Sequence, residues 1–205
     1  MKVAVVDYDA GNTLSVTKAL RKVGADVELT YDTERILASD AVVLPGVGAF
    51  GDCMDGIRAR GLDAAVRDAV TAGKPFLGVC VGLQVLFDGS EETPEVPGLG
   101  ILPGKVVRFD VAEEGLKVPH MGWNQLRVER EHPVLEGLGG EAFYFVHSYY
   151  PEPEPDDLLA TSEYGGRFCA VAGRDNVVAT QFHPEKSSAA GLRLYRSFLD
   201  WSGRL

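Results

Sequence analysis

At 205 residues, with 45% hydrophobic and 24% charged side chains, the chain has the length and balance of one globular domain with a sizeable core. Twenty Lys and Arg against thirty Asp and Glu give a formal net charge of −10, which favours solubility and offers no basic stripe for nucleic acid. There is no signal-peptide layout and no apolar run of membrane-spanning length, and the three cysteines, Cys53, Cys80 and Cys169, are far apart without zinc spacing; the expectation is a reduced, cytoplasmic protein with no disulfide framework, metal or membrane partner.

Residues 3–6 are a short apolar run suited to a strand buried on both faces. A turn-rich loop over 7–12 follows. Leu14, Val16, Leu20 and Val23 then recur near helical spacing until Gly24 ends the helix. Strands are predicted at 26–30 and 41–44, the second running into the glycine-rich loop 45–51. A helix from about 62 to 72 stops at Gly73. Residues 75–79 form the next strand, with Cys80 at its end. This alternation predicts an α/β fold with a parallel core sheet flanked by helices.

The second half changes character. Short strand-like runs dominate 101–128 and 142–180, which predicts antiparallel or mixed strands added to the parallel core. Residues 151–157 hold three prolines and four acids and are expected to be an exposed, extended connection within a single domain spanning 1–205. Ser187 or Ser188 is placed to cap a last helix carrying Leu192, Leu194, Tyr195, Phe198 and Leu199.

Cys80 lies between Gly78 and Gly82, at a predicted strand-to-helix turn. In parallel sheets, ligands bind beyond the carboxyl ends of the strands. A tight elbow there exposes a side chain while glycines relieve backbone crowding. A helix starting near Val81 aims free N–H groups at the sulfur, which favours a reactive thiolate. A cysteine nucleophile needs a base and an orienting group. Among His120, His132, His147 and His183, only His183 has a carboxylate at a telling offset, Glu185, and an extended segment would turn both to one side. The Val81 N–H and a peptide of the Pro45-Gly46-Val47-Gly48 loop are candidate oxyanion donors. Each feature alone has an ordinary reading: a packed thiol, a surface loop, a turn. Their combination on one architecture carries the argument.

The motifs G-V-C-V-G-L-Q and, far downstream, Q-F-H-P-E-K-S resemble those of the class I (triad) glutamine amidotransferases. With D-Y-D-A-G-N, L-P-G-V-G-A-F-G-D, P-H-M-G-W-N and F-V-H-S-Y-Y, the chain is similar to the glutaminase subunits of imidazole glycerol phosphate synthase over nearly its whole length, with a flavodoxin-like fold implied. The resemblance implies a Cys80–His183–Glu185 triad that hydrolyses glutamine through a thioester, with Val47, Gly48 and Val81 at the oxyanion. It implies glutamine binding by Gly48, Gln84, Ser148 and Tyr149. It further implies no cofactor and delivery of ammonia to a (β/α)8-barrel cyclase subunit in histidine biosynthesis. Met121, Trp123 and Asn124 are then expected at the docking surface. The Gly46 and Gly48 pair would let the Val47 peptide turn, so that partner binding selects its active orientation. Asp9 stands where the family commonly has glycine, Thr13 where it has leucine, and Val81 and Leu83 where it has leucine and methionine.

Overall fold

A computed structural model describes residues 1–111 and 113–205; residue 112, inside the predicted strand-rich stretch 101–128, lies outside the described residues. The first half alternates β1 (Lys2–Val6), α1 (Thr13–Lys22), β2 (Asp26–Thr30), α2 (Thr33–Ala38), β3 (Ala41–Gly46), α3 (Phe50–Ala59), α4 (Leu62–Thr71), β4 (Phe76–Cys80) and α5 (Val81–Gln84). The second half carries β5 (Gly89–Ser90), β6 (Gly104–Arg108), β7 (His120–Gln125), β8 (Arg127–Val128), β9 (Ala142–His147), β10 (Tyr149–Pro153), β11 (Leu158–Glu163), β12 (Arg167–Arg174), β13 (Val177–Thr180) and the closing α6 (Ser188–Ser202).

The strands form an eight-stranded sheet in the order β2-β1-β3-β4-β13-β12-β11-β8. Its first five strands run parallel, and β12, β11 and β8 continue it antiparallel. This is the expected parallel core with later antiparallel additions. β10, β6 and β5 form a three-stranded sheet, and β7 with β9 a two-stranded one. Val3, Val5 and Val6 of β1 and Val42, Val43 and Leu44 of β3 are fully buried, as continuous apolar runs require in a sheet covered on both faces. In α6, Leu194, Tyr195, Phe198, Leu199 and Trp201 form the buried stripe. No helix among the described residues is long and apolar enough to cross a membrane.

Several expectations need correction. Leu14 does not join the buried face of α1; it is 63% exposed, while Val16 and Leu20 carry the packing. Two helices, α2 and α3, were not predicted. The start of α2 is fixed by the Asp32 carboxylate, which accepts from the Glu34 and Arg35 amides at 2.9 and 3.2 Å. In α3 the interior glycines Gly51 and Gly56 weaken the helical signal. Packing requires them, because a Cβ on Gly56 would sit 2.8 Å from the Tyr8 carbonyl oxygen and one on Gly51 2.9 Å from Thr93. The stretch 151–157 is exposed at Glu152, Glu154, Pro155 and Asp156 and extended through Pro153, as expected, but it is tied to the fold at both ends. Its first part is the end of β10, paired with β6, and Asp157 is buried at 1% and accepts from Arg174 Nε and Nη2 at 2.7 and 2.8 Å. Ser187 precedes α6 without capping it. Its hydroxyl donates to the His183 carbonyl at 2.6 Å and accepts from the Tyr144 amide at 3.0 Å, holding the end of the 3-10 turn Pro184–Lys186 against β9.

Candidate active site

The parallel register aligns Val177 with Phe76 and Thr180 with Val79. Two chain segments a hundred residues apart therefore end side by side at the carboxyl edge of the sheet. β4 delivers Cys80 there and β13 leads into His183.

Cys80 has φ 56° and ψ −113°, a left-handed backbone that a non-glycine residue rarely adopts. The elbow that holds it depends on its glycines. A Cβ on Gly82 would lie 1.9 Å from the Leu44 carbonyl oxygen, and one on Gly78 would lie 2.7 Å from the Gly82 carbonyl oxygen. The expected helix does begin at Val81, but α5 is one turn of four residues, so its dipole is small. The Val81 N–H still opens that turn and has no partner within it.

His183 Nδ1 and Glu185 Oε1 lie 2.8 Å apart, with both side chains buried. The route to this contact differs from the predicted extended segment. Residues 184–186 form a 3-10 turn that swings Glu185 back to the ring. Asn12 Nδ2 donates to the same carboxylate oxygen at 3.1 Å, tying the acid to the loop before α1. Burial alone would lower the basicity of His183. The Cys80 sulfur and the Glu185 carboxylate outweigh it and raise the imidazole to about 10. An imidazolium beside the sulfur is the partner that a thiolate nucleophile requires.

A cavity of about 310 Å³ opens over the sulfur. Val47, Gly48, Cys80, Val81, Gln84, Ser148, Tyr149 and His183 all line it, so the expected nucleophile, base, oxyanion and glutamine-binding positions meet in one place. Glu185 stands behind His183. Both amide hydrogens of Gln84 are already committed, to the Tyr149 carbonyl at 3.0 Å and to Gln181 Oε1 at 3.1 Å, which leaves its carbonyl oxygen for a ligand. Gln181 itself is fully buried, with its Nε2 3.9 Å from the Cys80 sulfur.

Val146 and His147 of β9 line one side of the cavity, and β7 pairs with β9 alongside. Met121 and Trp123 project outward, 63% and 52% exposed, and Trp123 meets Tyr144 edge-on at 6.1 Å. Strand alternation puts Asn124 on the other face, away from that surface. There its Oδ1 meets His120 Nε2 at 3.0 Å and its Nδ2 donates to the Glu163 carbonyl at 2.5 Å. His120 Nδ1 in turn meets His147 Nε2 at 3.1 Å. Burial pushes the His147 imidazole down to about 3, against the Tyr149 carbonyl that it faces at 2.8 Å, and lowers His120 as well. Sequence reasoning left four neighbours of the site unassigned: Asn12, His120, His147 and Gln181. All of them stood inside the quoted motifs, but nothing in a motif says which side chain turns inward.

Asp9 is also accounted for. Its φ is 65°, a conformation that glycine takes freely and aspartate tolerates, and its carboxylate pairs with Arg60 at the surface.

The chain matches the family model described as glutamine amidotransferase class-I over residues 4–200. An imidazole glycerol phosphate synthase subunit HisH of Chromobacterium violaceum is 51% identical, with 100% of both chains covered. The protein of that name from Methanothermobacter thermautotrophicus is 49% identical over 97% of this chain and 98% of its own. Among solved structures, a glutamine amidotransferase crystal structure superposes with a TM-score of 0.77 at 25% identity, covering 98% of each chain. The PurLQS structure from Thermotoga maritima gives 0.75 at 21% identity over 98% of each chain, a likeness of fold. The chain belongs to the class-I glutamine amidotransferases, and within them to the family of imidazole glycerol phosphate synthase HisH subunits.

Proposed function

We propose that the whole chain works as one amidotransferase domain that hydrolyses glutamine at Cys80 and passes the ammonia to a cyclase subunit. The observation that carries this reading is the strained Cys80 elbow opening into the same cavity as His183, whose ring is held by Glu185. The sulfur attacks the side-chain amide carbon, and His183 gives its proton to the leaving ammonia. Glu185 holds the ring in register. Water then adds to the glutamyl thioester, with His183 taking its proton, and glutamate leaves. Through both tetrahedral stages the oxyanion is met by the Val81 N–H and by the Val47 or Gly48 N–H. Gly48, Ser148, Tyr149 and the free oxygen of Gln84 hold the amino-acid end of glutamine.

Relatives named as subunits of a synthase support a partner, here a (β/α)8-barrel cyclase. Two large apolar side chains exposed side by side, Met121 and Trp123, support a docking face beside the cavity. The Val47 peptide is expected to take its active orientation when that partner and its ligand bind. Glutamine labelled with heavy nitrogen at its amide tests the transfer. In the complex with the cyclase and its ribonucleotide substrate, the label is expected in the imidazole product even against excess unlabelled ammonium. Dilution of the label to the level of the bulk ammonium would reject direct transfer.

A further inference from the structure

The end of β3 and the loop leaving it are held from behind by two side chains for which the chemistry above has no use. The Tyr8 hydroxyl donates to the Pro45 carbonyl at 2.6 Å. The Cys53 thiol, on α3, donates to the Val47 carbonyl at 3.5 Å, within range for sulfur. Both residues are buried, and the hydroxyl and the sulfur lie against each other. The packing behind them is close: the Gly56 contact locks α3 onto the Tyr8 backbone, and a Cβ on Gly46 would sit 2.9 Å from the Tyr8 hydroxyl.

In a planar trans peptide the C=O and N–H point in opposite directions. With its carbonyl turned toward α3, the Val47–Gly48 peptide must aim the Gly48 N–H away from α3, and Gly48 lines the cavity. Tyr8 fixes the Pro45–Gly46 peptide in the same way. Between the two anchors lies the peptide that carries the Val47 N–H. Among the described residues no side-chain hydrogen bond falls on it; only the last Gly46–Cys80 pairing of the β3–β4 ladder holds its carbonyl, and its rotation changes only ψ of Gly46 and φ of Val47. We infer that Tyr8 and Cys53 form a clamp that positions the oxyanion loop, aiming the Gly48 N–H and confining any turn to the Gly46–Val47 peptide. Both act through the loop and touch no reacting atom. The inference rests on the reading of this loop as the oxyanion site.

Cys53→Ala, Cys53→Ser and Tyr8→Phe, each in complex with the cyclase and its ligand, test the clamp. Cys53→Ala and Tyr8→Phe are expected to lower kcat for glutamate release about tenfold or more, with KM for glutamine little changed, because the oxyanion forms only after binding. Cys53→Ser keeps a donor and is expected to restore most of kcat. Alkylation of Cys80 by iodoacetamide forms no oxyanion, so its rate is expected to match the parent in all three. Parent kcat in folded Cys53→Ala and Tyr8→Phe would overturn the clamp. So would an equal loss in alkylation, or a failure of serine to rescue, since either marks a packing defect. Failure of the underlying reading has a separate signature, parent kcat in folded Val47→Pro and Gly48→Pro variants, each of which lacks one of the loop's N–H donors.

Discussion

At the scale of single residues, the site works by setting one imidazole between a sulfur and a carboxylate. His183 is buried, and burial by itself would keep it neutral at physiological pH. The Cys80 sulfur and the Glu185 carboxylate reverse that and lift it to about 10. Glu185→Gln keeps the shape of the hydrogen bond and removes the charge. It is expected to cut kcat/KM about a hundredfold and to move the basic limb of the pH profile to lower pH. Steady-state kinetics across pH would measure both, and an unmoved limb would show that Glu185 does not set the ionisation of His183. The meeting of Cys80, His183 and Glu185 was legible in the sequence because these residues stand in short, spaced motifs. Asn12 and Gln181 were not legible as neighbours. The Asn12 contact with Glu185 spans 173 positions and the Gln181 contact with Cys80 spans 101, and only the folded sheet brings such pairs together.

Elements were legible where a single face decides the pattern. The apolar runs of β1, β3 and β4 and the stripe of α6 follow from burial alone. Elements that tertiary contact stabilises were misread or missed. α3 holds glycines that cost helix propensity and repay it in close approach to Tyr8 and Thr93. The 3-10 turn after His183 replaces the expected extended segment yet yields the same His–Glu pair. The glycine argument at the elbow has a direct test. Gly82→Ala drives a methyl group into the Leu44 carbonyl and is expected to cost about 3 kcal/mol in denaturant unfolding, with loss of turnover. A variant of parent stability would mean that the elbow is looser than its contacts. The β7–β9 ladder pairs His120 with His147 in register, and both histidines are held below their ordinary value by burial. An unfolded histidine near 6.5 binds a proton that these two resist. Their stabilising effect is therefore complete above that pH and is lost as pH falls toward their folded values. Stability should drop by up to about 1.4 kcal/mol per pH unit for His147 as pH falls below about 6.5, with His120 acting in the same direction. Chemical unfolding over that window is expected to show the slope and His147→Gln to flatten it; an unchanged slope would assign it to other groups.

For the whole molecule, the decisive fact is nonlocal. β13 arrives late in the chain and enters the parallel core next to β4, so the strand that carries Cys80 gains its imidazole neighbour, His183, from the other end of the sequence. Val146 and His147 of β9 and Tyr149 of β10 then line the cavity, and β7, paired with β9, presents Met121 and Trp123 outward. The order of strands and helices predicted the class of fold; the pairing of β4 with β13 could be expected only from the family resemblance. The measurement that bears most directly on this account is glutamate release from glutamine by the parent chain and by Cys80→Ala, each alone and with the cyclase subunit and its ligand. The account predicts release by the parent that rises sharply in the complex and none from Cys80→Ala under either condition. Release by a folded Cys80→Ala, or silence from the parent in a verified complex, would contradict it.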